Sequence, residues 1–129
     1  MFTRDDVLVA AKKINLSKKG QEKLLKLIKN SDSGEEEVFN AREELKQQLK
    51  PLIISVVEKY TESAASLEEL VRWGEIGLDS AIEKWNFKKE RNYPFSYYAV
   101  WYIRAEIHDS LGLPTDVEGY DEIEEISND

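Results

Sequence analysis

Apolar residues recur at three- and four-residue intervals along most of the chain, and strand-like alternation is nearly absent. Helix is therefore the predicted state almost throughout. Thr3 is placed to cap a first helix over roughly residues 4–13, with Asp5 and Asp6 favourable in its first turn. Ser17 is placed to cap a second, to about Asn30, with Leu24, Leu25 and Ile28 on one stripe. Asn30-Ser31-Asp32-Ser33-Gly34 reads as a loop. A long helical pattern follows from about Glu35 to Tyr60, and Pro51 inside it must kink the helix or end it and start another. Ser66-Leu67-Glu68-Glu69 has the form of a capping box opening a fourth helix to about Trp85. Residues 86–94 form a charged connection containing Pro94. Ser96 then caps a last helix to Leu111, stopped by Gly112 and Pro114. The expected architecture is all-α, an irregular bundle of about five helices.

Two of these helices carry more apolar surface than one core face requires. Advancing about 100° per residue along the last helix places Ala99, Val100, Ile103, Ile107 and Leu111 on one side. Tyr97, Tyr98, Trp101 and Tyr102 share the other side with Arg104, Ala105, His108 and Asp109. Tyr93 and Phe95 extend the aromatic set, and Lys84, Lys88, Lys89 and Arg91 lie just upstream. Rings beside a basic stretch have the composition of a platform on which unpaired bases stack. The same rings also suit a core with tyrosine hydroxyls at its surface. In the fourth helix, Leu67, Leu70, Val71, Gly74, Leu78, Ala81, Ile82 and Trp85 form a core stripe. Trp73 and Ile76 fall outside it with Glu69 between them. That group reads as a protein-docking patch or as a seat for another helix. Gly74 and Gly77 inside a helix imply that something approaches closely.

Composition narrows the function classes. The formal net charge is −8, unevenly spread: residues 1–60 carry +2, residues 61–110 carry −3 and residues 111–129 carry −7. A nearly neutral body does not draw nucleic acid over distance as a basic one does, so DNA contact needs a local basic patch or a second protein. The absence of cysteine excludes disulfides and cysteine-based metal or redox sites. The first six residues lack the layout of a secretion signal, and the longest apolar run, residues 52–57, is too short to span a bilayer. A cytoplasmic protein without membrane association is expected. Nothing points to catalysis, a metal or a cofactor. There is one histidine, His108, and the side chains of His108 and Asp109 diverge on a helix.

Several stretches then carry a family resemblance. Residues 52–60, Leu-Ile-Ile-Ser-Val-Val-Glu-Lys-Tyr, resemble the helix that opens region 2 of the sigma-70 family. Residues 67–78, Leu-Glu-Glu-Leu-Val-Arg-Trp-Gly-Glu-Ile-Gly-Leu, resemble its polymerase-docking helix, of pattern F-x-D-L-I-Q-E-G-x-x-G-L. Ala81-Ile82-Glu83-Lys84-Trp85 is similar to A-V-x-K-F. Residues 95–104, Phe-Ser-Tyr-Tyr-Ala-Val-Trp-Tyr-Ile-Arg, are similar to the promoter-melting motif F-S-T-Y-A-x-W-W-I-R. Residues 16–32 and Ala41-Arg42-Glu43-Glu44-Leu45 look like the preceding region 1.2.

The resemblance implies a division into residues 1–32 as region 1.2-like helices and 33–112 as the region 2-like core, while the acidic composition of residues 113–129, poor in large apolar groups, predicts a mobile tail. It implies that Glu69, Arg72, Trp73 and Ile76 face the coiled coil of the β′ clamp of RNA polymerase. Tyr93, Phe95, Tyr97, Tyr98, Trp101 and Tyr102 would then capture unpaired non-template bases of the −10 promoter element. Lys88, Lys89, Arg91 and Arg104 would attend the DNA, and Ala105 and His108 would lie at the element's upstream edge.

The departures from the family also carry information. Arg72 and Trp73 stand where the family has Gln and Glu, Ala105 and His108 where it has Gln and Thr, and Asp109 where it has Arg. No stretch resembles regions 3 and 4. The leading expectation is therefore a stand-alone region 2 module, with a second subunit carrying a region 4-like domain for the −35 element. The alternative is a regulator that occupies the sigma-docking site without productive DNA binding. A third reading folds the acidic tail over Lys88, Lys89 and Arg91 as a mask.

Overall fold

The computed structural model describes residues 4–88 and 93–114. Thr3, Lys89, Arg91 and the acidic tail lie outside the described residues, as do the cap and the mask expected of them. The described residues form six α-helices and a 3-10 turn, with no strand among them. In order they are α1 (Arg4–Ala11), α2 (Lys18–Lys29), α3 (Glu35–Gln48), α4 (Lys50–Val57), the turn Glu58–Tyr60, α5 (Leu67–Lys84) and α6 (Phe95–Leu111). The all-α expectation holds, with one more helix than the pattern suggested because the long third segment divides.

That division follows from Pro51. It occupies the first turn of α4, where its missing N–H costs nothing, and Leu49 leaves helical geometry at φ −94°, ψ 2°. Ser17 caps α2 by accepting the Gly20 N–H at 3.0 Å. Asn30 builds the following turn, accepting the Asp32 N–H on its side chain at 2.9 Å and the Ser33 N–H on its carbonyl at 3.0 Å. Ser66 caps α5, accepting the Glu69 N–H at 3.1 Å while its hydroxyl donates to Glu69 Oε1 at 3.1 Å. Gly112, at φ 73°, closes α6 in the left-handed region, with the Leu113 N–H donating to the His108 carbonyl at 2.8 Å.

Helix α6 is central. It packs against α1, α2, α4 and above all α5. Trp85 meets Phe95 near the connection and Gly77 meets Ile103 farther along, so α5 and α6 run antiparallel. Leu45, Leu49, Leu52 and Ile53 of the α3–α4 segment close over Leu70, Leu78 and Ile82 of α5 and Ile103 and Ile107 of α6, all fully buried. Each such side chain contributes about 1.5–3 kcal/mol when removed from water. The glycines expected to mark close approach do so. A Cβ on Gly77 would lie 2.5 Å from the Tyr102 carbonyl oxygen and 2.6 Å from Ile103 Cα, and one on Gly74 would lie 2.6 Å from an Ile53 methyl.

Two local expectations need correction. Ser96 does not cap α6. It lies inside the first turn with its side chain buried, and Pro94 holds the cap position without a side-chain bond. Leu67 is not core, being 61% exposed, because it opens α5 beyond the reach of its packing partners.

Candidate functional site

The outward face of α5 gathers the four residues expected to dock a protein. Glu69, Arg72, Trp73 and Ile76 recur at three- and four-residue steps and so share one side of the helix, opposite buried Leu70 and Leu78. Ile76 is 44% exposed, Arg72 and Glu69 are exposed, and Trp73 is half-buried against the core. Arg72 lies 3.7 Å from Glu68 one turn earlier, a surface pair of small energetic weight. Leu67, absent from the expected set, adds apolar area at the start of the same helix.

The rings around α6 depart from expectation. An open aromatic row is not present, because the bundle closes over most of it. Phe95 is fully buried, Trp101 is 1% exposed, and Tyr93 and Tyr98 are 4% exposed. Tyr97 and Tyr102 alone among the six expected rings retain partial exposure. The physical reason is α6's central position: α2, α5 and the chain around Trp85 supply apolar partners to both of its sides.

The rings pack edge-on. Trp85 is T-shaped to Phe95 at 5.3 Å and near-perpendicular to Tyr98 at 5.2 Å. Tyr98 passes contact outward to Tyr102, with ring centroids 4.8 Å apart and hydroxyls 3.0 Å apart. Tyr93 stacks nearly parallel on Tyr97 at 6.3 Å. Each half-exposed ring is thus backed by a buried one.

Arg104 is likewise not at the surface. It is 3% exposed, sits over the Trp101 ring at 5.7 Å and lies close enough to Tyr60 to act on its phenol. His108 is half-buried, with Nε2 2.6 Å from the Tyr60 hydroxyl and Nδ1 2.7 Å from the Pro114 carbonyl oxygen. A carbonyl only accepts, so Nδ1 carries the proton and Nε2 accepts from Tyr60. His108 thereby joins the end of α6 to the turn after α4. Burial holds the Tyr60 phenol above its ordinary pKa, and the nearby Arg104 cation works against that rise. Among the expected basic residues, Lys88 is exposed and described, while Lys89 and Arg91 are not described.

A family model for Sigma-70 region 2 matches residues 45–112. The chain belongs to that family. It is also 37% identical over 90 residues to the RNA polymerase sigma factor RpoD of Neisseria gonorrhoeae, a match covering 70% of this chain and 14% of that relative's length. No solved structure matches.

The region 2 match begins at Leu45, late in α3, and contains the whole α5–α6 pair. Side chains of α2 and α3 tie these helices to α5 by ion pairs and a hydrogen bond, Arg42 and Lys29 from before the match and Lys46 from its first turn. Arg42 reaches Glu83 at 2.8 Å and Asp79 at 3.4 Å, Lys46 reaches Asp79 at 3.5 Å, and the Lys29 ammonium donates to the Glu83 carbonyl at 3.1 Å. Desolvation lowers the Lys29 pKa, with Glu83 opposing.

Two further features escaped the sequence reading. Phe87 is 40% exposed, edge-on to Trp85 at 6.2 Å with the Lys26 ammonium 5.9 Å from its ring centre. Its place beside Lys88 was the available signal. Gln21 is 2% exposed and bonds to the start of α6 across the fold. No sequence pattern announces that bond.

No helix among the described residues is long and apolar enough to cross a membrane, and no metal-ligating cluster occurs among them.

Proposed function

We propose that this region 2 domain is a sigma-type transcription-initiation module that binds core RNA polymerase through the outward face of α5. The carrying observation is that face itself: Leu67 and Ile76 exposed, Arg72 in solvent and Trp73 half-buried, on a helix whose opposite side is sealed. Tryptophan and arginine are the side chains that most often anchor protein interfaces. With Trp73 in place of the family's Glu and Arg72 in place of its Gln, the contact with the β′ clamp coiled coil gains an aromatic anchor and loses negative charge. The relative's name supports polymerase as the partner.

The second role is capture of non-template −10 bases. It falls first to Tyr97 and Tyr102, the rings with free surface, with Phe87 and Lys88 alongside. Tyr93 and Tyr98 act from beneath, holding those rings in place, with Phe95 packed against Tyr98; Trp101 and Arg104 are buried away from solvent. Unstacking a base costs a few kcal/mol, which stacking on a prearranged ring offsets. This chain performs no chemical step.

One observation favours a second reading, a regulator that occupies the docking site without productive DNA binding: burial of most of the rings, with Asp109 exposed at the upstream edge. Labelled single-stranded −10 DNA separates the two. A polymerase complex that binds it, and loses it on Tyr97→Ala, is a sigma module. A complex that binds none is an antagonist. Failure to co-purify with core polymerase removes both.

A further inference from the structure

Helix α6 starts without a cap of its own. Pro94 at the cap position has no side-chain acceptor, and the first turn closes with the Tyr97 N–H donating to the Pro94 carbonyl at 3.1 Å. The Ser96 N–H still needs an acceptor in a buried place. It receives one from another helix: Gln21 Oε1 of α2, 2.8 Å away and 75 positions earlier. The same carboxamide donates through Nε2 to the Leu16 carbonyl at 3.0 Å. One partner only donates and the other only accepts, so the amide has a single orientation. Gln21 is a buried polar residue whose two ends lock the start of α2 to the start of α6.

We propose that Gln21 is a positioning residue for the nucleic-acid face, capping α6 in place of a local side chain and setting where Tyr97 stands. This deepens the reading of α6 as the base-contacting helix and rests on it. Tyr97 follows Ser96 directly, and its backing ring, Tyr93, lies just before the cap. A start of α6 that is free to fray lets this stacked pair drift, and a small displacement of an aligned ring weakens base capture without touching the ring. The α5 docking face lies on a different helix and does not depend on this bond.

The test uses the full chain bound to core RNA polymerase, with fluorescein-labelled single-stranded DNA carrying a randomised central segment as the probe. Gln21→Met fills much the same space but offers the Ser96 N–H only a weak thioether acceptor and the Leu16 carbonyl no donor. Gln21→Glu keeps an acceptor for the Ser96 N–H and, in the protonated form that burial favours, a donor for the Leu16 carbonyl. The inference expects polymerase affinity unchanged in both variants. DNA capture should weaken roughly tenfold in Gln21→Met and recover in large part in Gln21→Glu. A role in core filling alone predicts the reverse order, with Met tolerated and Glu not.

Capture by Gln21→Met equal to that of the original chain, or Gln21→Glu no better than Met, overturns the proposal. If the unmodified complex captures no DNA, the reading of α6 fails instead. The capping claim is then decided by amide hydrogen exchange. Faster exchange at Ser96 in Gln21→Met than at the middle of α6 sustains it, and an unchanged rate ends it.

Discussion

Helices α5 and α6 are adjacent, antiparallel and both richer in apolar residues than one core face needs, yet they treat the surplus differently. On α5 the surplus stays outside: Ile76, beyond the core stripe, is 44% exposed, and Leu67, at the open end of the stripe itself, is 61% exposed. On α6 the corresponding residues are drawn in, with Phe95 and Trp101 at 0% and 1%. The difference lies in neighbours. Four helices pack on α6, whereas α5 packs chiefly on α4 and α6. A central helix has partners on both faces and buries whatever apolar surface it offers. A peripheral helix has one partnered side, and its remaining apolar residues are available to another molecule. Hydrophobic burial is non-directional and follows contact opportunity, not the chemical class of the ring.

The contrast can be broken most forcefully from the α6 side. Trp101→Ala leaves a large cavity in the core and should cost about 3–5 kcal/mol, read as a much lower thermal midpoint with both binding activities lost together. Selective loss of DNA capture in a normally stable variant would mean the ring is exposed in solution.

Next comes the seam between the helices. Gly77→Ala places a Cβ 2.5 Å from the Tyr102 carbonyl oxygen, backbone that cannot swing aside. We expect a loss of about 3 kcal/mol by urea unfolding, since α5 and α6 must separate. A loss near zero would refute the close approach.

The α5 face gives the converse result. Trp73→Ala should reduce polymerase affinity by about 2 kcal/mol, roughly thirtyfold in titration. Ile76→Ala should shift the melting curve little, because its side chain is partly in water already. A Trp73→Ala chain that retains full polymerase affinity would argue that α5 is not the docking helix.

On α6, Tyr97→Ala should weaken single-strand capture by about 1–3 kcal/mol, and Tyr97→Phe much less, because a ring face does the stacking. Equal losses from both would implicate the hydroxyl instead.

The smallest expected effect is alkaline. Burial holds the folded Tyr60 phenol above its ordinary pKa of about 10, so between the unfolded and folded pKa values the native state holds a proton that the unfolded chain has released. Stability contributed by the neutral phenol is complete below about pH 10 and declines above it. Tyr60→Phe should lower stability at neutral pH by about 1 kcal/mol through the lost hydroxyl bond, while flattening the decline above pH 10. A decline as steep as in the original chain would assign it to other groups.

Much of this architecture is legible in the sequence alone. Helical periodicity, the serines at positions 17 and 66, Pro51 and Gly112 determined where helices start and stop, because those signals act within a few residues of chain. The motifs in α4, α5 and α6 determined the family. The outward position of Trp73 and Ile76 also followed from spacing, since a lone amphipathic helix sorts its own faces.

What the tertiary structure decided was which face of a two-sided helix meets solvent. The rings of α6 carry the same periodicity whether they are covered or bare, and only the arrival of α1, α2 and α5 settles the matter. The same holds for Arg104 beneath Tyr60 and for Gln21 at the start of α6, whose partners lie far away along the chain. Local pattern encodes local geometry. Burial depends on what the rest of the chain places alongside.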